Sequence, residues 1–277
     1  MNPLTITSHD AAELEPYRRV RDRDAIGADG RPGLFIGESP LVIEAMLSAG
    51  IEVLSILASE RHAGRAMALA GAHAPGRLAP SVLLAPDEIL NQVVGFDIHR
   101  GFLAVGRRPA PRTLQELMPA PVRDSLVLAV EEINNIDNIG QLFRNAAAFG
   151  CDAVVLSPGC HDPLYRKSLR VSCGCALKVP FARSPNWMDD LARLSAAGFT
   201  LLGAAGGGER TLAEAADLCK RRSPRRVAVV VGAEFSGLSP ATLAACSARV
   251  RIPMAPGVDS LNVGVAAGVF LARLSEG

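Results

Sequence analysis

The stretch "RVAVVVGAEFSGLS", residues 226–239, decides the fold class. Its run Val227–Val231 is apolar without alternation, the pattern of a strand buried on both faces. Gly232 and Gly237 flank Glu234 just past the strand end, and Ser239-Pro240 then opens a helix. Serine at the N-cap with proline at the first helical position is a sound helix start. A strand, a short glycine loop and a helix make one unit of a parallel α/β sheet, and such sheets bind ligands beyond the carboxyl ends of their strands. Ser239 and Gly237 are accounted for by the cap and the turn. Glu234 is not, because a carboxylate directly after a doubly buried strand is costly without a partner.

The same grammar extends in both directions. Downstream and upstream of that unit, "DSLVLAVEE", "CDAVVLSPG", "FTLLGAA" and "ARVRIPM" read as further strands with helical stretches between them, and "SLNVGVAAGVFLARL" (260–274) as a last helix. A separate, smaller alternation comes first. "GLFIGES" precedes a helix "PLVIEAMLSAG" that ends on Gly50, "IEVLSILAS" precedes "ERHAGRAMALAGA", "SVLLAP" precedes "PDEILNQVVGF", and "GFLAVGRR" closes it. The Pro/Arg-rich "RRPAPR" (107–112) breaks the pattern and marks a linker. The expected organisation is a first α/β domain over 1–108, a linker over 109–122 and a second, parallel-sheet domain over 123–277.

Composition narrows the function classes. Of 277 residues, 49% are hydrophobic and only 4% aromatic, which suits Val/Leu/Ala strands covered by helices. No apolar run approaches the ~20 residues of a membrane span, and the N-terminus lacks a signal-peptide core, so a cytoplasmic protein with no membrane partner is expected. Basic and acidic residues number 12 and 13 over 1–112, and 17 and 15 over 113–277, so neither half is a general polyanion binder by charge. The basic residues nonetheless cluster in "YRRVRDR", "GRRPAPR" and "KRRSPRR", each readable as a phosphate contact or as a solvated turn. Six cysteines at irregular spacing, with "CGC" too close for a zinc knuckle, read as reduced and mostly buried thiols. The five histidines form no H-x-x-x-H pair, and no metal site is expected. "LLGAAGGGERTLAEA" has a glycine-rich turn between strand and helix, but not the G-x-G-x-x-G spacing of a dinucleotide site.

Three segments stand out together. "DNIGQLFRNAAAFG" (137–150) begins as a helix yet carries Asn138, Gly140 and Arg144, none of which a core helix needs. "GAEFSGLS" is the loop above. "IPMAPGVDSLNVGVAAG" runs from a strand through a Pro/Gly turn to Ser260 and Asn262, where Asn262 reads either as a cap or as an amide offered to a ligand. In this order the three patterns, N-x-G-x-x-x-R-x-x-x-A-F-G, G-A-E-x-x-G-L-S and I-P-M-x-x-G-x-x-S-L-N-V, resemble the SpoU/TrmH family of RNA ribose methyltransferases. "RKSLRVSCGCALKVPF" (166–181) looks like that family's R-x-S-x-G segment. "LFIGESPLVIEAMLSAG" and "GFDIHRGFLAV" are similar, more weakly, to the ribosomal-protein-like RNA-binding domain that many members carry.

The resemblance implies a SPOUT-like parallel sheet whose C-terminal segment forms a deep trefoil knot, preceded by the RNA-binding domain. It implies S-adenosylmethionine as cofactor, held largely through backbone by Gly232, Ile252 and Leu261 with Met254 and Gly257 close by. It implies a homodimer with the active site at the interface, to which the stripe Val263, Val265, Ala266, Val269 and Phe270 would contribute. The substrate would be RNA, ribosomal rather than transfer, methylated on a ribose 2′-hydroxyl without a metal. Arg144 would orient phosphate and ribose and stabilise the developing alkoxide, Asn138 would place that segment, and Glu234, Ser260 and Asn262 would complete the polar shell. A non-catalytic RNA-binding relative with the same fold is the alternative. Two positions depart from the family pattern: Gly264 stands where serine is usual, and Phe235 where glycine is more common.

Overall fold

The computed structural model describes residues 2–18, 33–72, 78–94 and 101–276. They divide into two compact units, Met1–Ala110 with Leu164–Lys178, and Pro111–Pro163 with Val179–Gly277. "YRRVRDR" beyond Arg18, and His99 of the H-x-G-x-L-A pattern, lie outside the described residues.

The first unit is a mixed sheet of five strands, β1 (Leu4–Thr5), β2 (Leu34–Glu38), β3 (Val53–Ser59), β4 (Ser81–Ala85) and β5 (Phe102–Arg107), in the order β1-β4-β3-β5-β2. β1, β4 and β3 run parallel, while β5 pairs antiparallel with β3 and β2. Helices α1 (Pro40–Ser48), α2 (Ala63–Gly71) and α3 (Asp87–Val94) connect the strands. α1 approaches the sheet closely because Gly37 and Gly106 have no side chain there; a Cβ at either would run into Met46. On the opposite side Leu14, Tyr17, Leu57, Leu83, Leu90 and Leu103 form a core. Tyr17 is fully buried and donates to or accepts from Ser55 Oγ at 2.8 Å; burial pushes its phenol well above the ordinary range.

The second unit is a seven-stranded, all-parallel sheet. Its strands are β6 (Ser125–Val130), β7 (Ala153–Leu156), β8 (Phe181–Arg183), β9 (Thr200–Ala204), β10 (Arg210–Thr211), β11 (Arg226–Val231) and β12 (Ala248–Arg251), in the order β10-β12-β9-β11-β6-β7-β8. β11 lies at the centre, in register Arg226↔Ser125 to Val231↔Val130 with β6 and Val227↔Thr200 to Val230↔Gly203 with β9. All six of its residues are buried, as the unbroken valine run requires. Helices α4 (Leu114–Leu117), α5 (Ile136–Ala148), α7 (Trp187–Ala196), α8 (Leu212–Lys220), α9 (Pro240–Ala245) and α10 (Val263–Ser275) belong to this unit, while α6 (Arg166–Val171) belongs to the first. α5 begins where Asn135 Oδ1 accepts from the Asp137 and Asn138 N–H groups at 2.9 and 3.2 Å. Its apolar face, Ile139, Leu142, Phe143 and Ala146, is buried, and Gly150 at φ 68° ends it in a left-handed turn.

Two stretches sit elsewhere than the sequence pattern places them. Residues 164–178, which contain the R-x-S-x-G segment, pack in the first unit. There the Glu38 carboxylate, only 1% exposed, pairs with Arg166 and with Arg170 at 3.0 Å, and Gly174 (φ 76°) presses against Ala45. An unpaired buried carboxylate would be expensive, so these arginines are what allows Glu38 at the end of β2. The stretch 109–122 is not a bare tether either. Thr113 and Glu116 form a reciprocal capping box, and Leu114 and Leu117 enter the core of the second unit. Glu116 is held below the usual carboxylate range by the Thr113 N–H and hydroxyl that it accepts from.

The basic "KRRSPRR" is partly structural: Arg226 is buried, donates to Pro119 O at 3.1 Å and lies 4.4 Å over the Phe199 ring. All six cysteines are free thiols, three of them buried and three half-buried. Burial pushes Cys151 up to about 12 and, with the Glu131 charge adding, Cys246 up to about 11.

The carboxyl end of β6 fixes the loop after β11. Glu131, 6% exposed, accepts from Ser239 N–H at 2.8 Å, Ser239 Oγ at 2.7 Å and Thr242 Oγ1 at 2.6 Å, while Trp187 Nε1 donates to Thr242 Oγ1 at 2.9 Å. All of these groups lie within one network, so the loop Gly232–Leu238 stands on a rigid base. Glu131→Ala leaves buried donors without an acceptor, and should destabilise the protein by on the order of 3 kcal/mol. A denaturant titration followed by far-UV circular dichroism checks this; an unchanged midpoint would mean that the loop base does not depend on Glu131.

Candidate active site

The carboxyl ends of β9, β11 and β12 surround an open-sided cavity of about 130 Å³. Ala204, Ala205 and Gly206 wall it from the β9 end, Val231 to Glu234 from β11, and Ile252 and Met254 from the segment after β12. Ser260 and Leu261 close it, with Val263 and Phe270 of α10 beneath. Four of the five residues expected at the cofactor therefore line one cavity: Gly232, Ile252, Met254 and Leu261. Gly257 does not; it occupies a left-handed turn (φ 82°), a conformation that glycine adopts without strain. Gly232 allows the loop to fold on itself, since a Cβ there would lie 2.6 Å from the Leu238 nitrogen and closer still to the Gly237 carbonyl.

Asn262 is the hub. Its Oδ1 caps α10, accepting from Gly264 N–H at 2.9 Å and Val265 N–H at 3.3 Å. Its Nδ2 donates to Asn138 Oδ1 at 2.9 Å and to Glu234 Oε1 at 2.6 Å. The two readings of this residue are thus resolved: the oxygen caps, and the amide joins α5 to the β11 loop. Glu234 has the partner expected of a carboxylate placed after a doubly buried strand, in Asn262, but it is not itself buried. β11 ends at Val231, so Glu234 is already exposed on the loop. The buried carboxylate that the site depends on is Glu131, which the sequence reading passed over as part of a strand. The signal available was its place at the carboxyl end of β6, next to Glu132, whose Oε1 accepts from Ser157 Oγ at 2.8 Å.

Asn138 is buried at 3% exposure. Arg144 is on the exposed face of α5, and no ion pair or hydrogen bond engages its guanidinium among the described residues. Ser260 is exposed on the cavity rim. α5 and α10 pack through glycines: a Cβ on Gly264 would meet Gln141, one on Gly268 would meet Asn145 Nδ2 at 3.3 Å, and Asn145 Nδ2 donates to Gly264 O at 2.6 Å. Gly264 is therefore a packing residue here, where a serine would force Gln141 to move. The stripe expected on α10 divides. Val263 and Phe270 are buried within the unit, and Val265 and Val269 are exposed at 51% and 40%. Among the described residues no group of three or more His, Cys, Asp or Glu side chains could hold a metal ion, and no helix is long and apolar enough to cross a membrane.

The SpoU rRNA methylase family model matches residues 125–272 of this chain. A Mycobacterium bovis protein described as an uncharacterized tRNA/rRNA methyltransferase is 38% identical over 285 residues, spanning 100% of this chain and 95% of that protein. A solved RNA 2′-O ribose methyltransferase superposes with a TM-score of 0.78 at 28% identity over 98% of each chain. An AdoMet-bound rRNA methyltransferase from Sinorhizobium meliloti superposes at 0.77 with 23% identity, over 98% of this chain and 96% of that one, a likeness of fold. The family match covers all seven strands of the parallel sheet, and the bacterial relative runs the full length: the chain belongs to the SpoU rRNA methylase family of RNA methyltransferases.

Proposed function

We propose that this chain transfers a methyl group from S-adenosylmethionine to a ribose 2′-hydroxyl in RNA, ribosomal RNA in preference to transfer RNA. The observation that carries the reading is the cavity at the ends of β9, β11 and β12, with the Asn138–Asn262–Glu234 linkage beside it. Its chemistry fits the cofactor. Apolar walls (Val231, Ile252, Leu261, Phe270) suit a flat purine, strand-end backbone supplies hydrogen bonds, and Glu234 and Asp259 put carboxylates at the rim toward a cationic ligand. When bound, the cofactor's sulfonium supplies the methyl electrophile. The name of one solved neighbour, a 2′-O ribose methyltransferase, and the AdoMet and rRNA of another support the same assignment.

A 2′-hydroxyl is a poor nucleophile near neutral pH, so the site must orient it and stabilise its developing charge. Arg144 is assigned that work. A guanidinium does not readily give up its proton, so it acts on phosphate and ribose as a fixed cation rather than as a base. Asn138, locked by Asn262, sets the start of the helix that carries Arg144. Glu234 and Ser260 border the place where ribose would meet the methyl group. Gly257 shapes the turn that brings Ser260 and Leu261 to the cavity.

Three wider features belong to the same proposal. The segment after β12, which lies between β10 and β9, runs to α10, which lies against α5; Asp259 O would lie 3.4 Å from a Cβ on Gly206. A C-terminal trefoil knot is part of the same reading. Val265 and Val269, exposed on α10, are offered as part of a homodimer contact. Residues 1–108 are assigned to substrate RNA binding, in the cytoplasm and without a metal.

The direct test is transfer of a labelled methyl group to unmodified ribosomal and transfer RNA transcripts, followed by nucleoside analysis for the 2′-O-methyl product. Arg144→Ala should bind S-adenosylmethionine as the wild type does, by calorimetry, and lose transfer by on the order of 10² in single turnover. Normal transfer by Arg144→Ala would remove that residue from the chemistry. Light scattering at micromolar concentration should give about twice the chain mass for wild type. Val265→Asp/Val269→Asp should shift it toward the monomer; a wild-type monomer that still methylates RNA would refute the dimer.

A further inference from the structure

Phe235 is 103% exposed, and it is the one aromatic ring among the described residues that stands fully in solvent. It sits in the middle of a five-residue turn closed by Gly237 N–H donating to Ala233 O at 2.8 Å, with Gly237 at φ 66°. The next residue before it, Glu234, lines the cavity and is held by Asn262, and the turn's far end is held by Glu131 through Ser239. The ring is therefore carried on a turn fixed at both ends, at the mouth of the cavity. A large apolar side chain left in water has no folding use there, and a smaller residue would complete the same turn.

We infer that Phe235 is a positioning and specificity-determining residue that stacks on an unpaired nucleobase of the RNA substrate beside the methylated ribose. The inference rests on the reading of this cavity as a methyl-transfer site for RNA. Single-stranded RNA bases are recognised by stacking on aromatic faces, an interaction that tolerates any base but requires that it be unpaired. The surroundings favour a base over a protein surface. Phe235 is flanked in the turn by exposed Glu234 and Ser236, so the turn offers one apolar ring between polar groups, whereas a protein partner calls for a contiguous apolar patch. Two χ angles and an anchored turn mean that little freedom is lost when the ring is covered.

The chain's single tryptophan, Trp187, is buried, so Phe235→Trp places a second, exposed fluorophore whose signal is the difference from wild type. Three variants, Phe235→Ala, Phe235→Tyr and Phe235→Trp, are compared with wild type in methyl transfer to unmodified ribosomal RNA transcripts, in calorimetric binding of S-adenosylmethionine and in light scattering. Phe235→Ala should raise the KM for RNA about 5- to 150-fold, the worth of one base stack, with kcat, cofactor affinity and mass unchanged. Tyr and Trp should restore the wild-type KM, and single-stranded polyuridylate should quench the added emission of Phe235→Trp. An unchanged KM in Phe235→Ala, a lost dimer mass, or a fall in cofactor affinity would overturn the inference, assigning the ring respectively to no contact, to a second copy, or to the cofactor wall. Absence of RNA methylation by wild type, with quenching by polyuridylate intact, would instead refute the catalytic reading while leaving the stack standing.

Discussion

The site depends on the two ends of one carboxamide. Asn262 accepts with its oxygen from the first turn of α10 and donates with its nitrogen to Asn138 and Glu234. Its partners lie 124 and 28 residues away, so a single side chain sets a helix start, a neighbouring helix and a strand-end loop in one register. No other side chain of that length offers both an acceptor for a cap and two donors. Aspartate would keep the cap and lose the donors. Serine would cap and reach no further.

Around that point the molecule separates rigid support from exposed chemistry. The parallel sheet, with β11 buried on both faces, carries the stability, and each fully buried valine contributes roughly 1.5–3 kcal/mol. Glu131, Thr242 and Trp187 then hold the loop base from below. The glycines allow close approach at Gly232, where the loop folds on itself, and at Gly264, where α10 meets α5. What remains exposed is Glu234 and Ser260 on the cavity lining, Phe235 beside Glu234 on the turn, and Arg144 on the outer face of α5.

The centre of the sheet was legible because burial on both faces writes itself as near-continuous apolar runs, in β6, β7 and β11; β9 and β12 (Ala-Arg-Val-Arg) were legible from shorter apolar stretches. β8 and β10 escaped notice because strands of three and two residues leave no periodicity. The cavity residues were legible by family resemblance and not by spacing; nothing in "IPMAPGVDSLNV" alone says that Asn262 reaches Asn138. The partners of a carboxylate were the hardest to see. Glu38 is balanced by Arg166 and Arg170, 128 and 132 residues on, which is why residues 164–178 were placed with the wrong neighbours by chain order. Glu131 was hidden for the opposite reason: it adjoins a perfect strand pattern, and its three donors come from the N-cap and first turn of α9, more than a hundred residues later.

Asn262→Asp tests most directly whether this carboxamide assembles the site. This change retains the oxygen that caps α10, removes both amide donors, and sets a carboxylate against Glu234. The melting profile should stay close to wild type. Calorimetric titration with S-adenosylmethionine should show affinity weakened by about tenfold or more, the scale of two lost hydrogen bonds with a charge repulsion added. Wild-type cofactor affinity in a folded Asn262→Asp protein would contradict the claim that this carboxamide assembles the site.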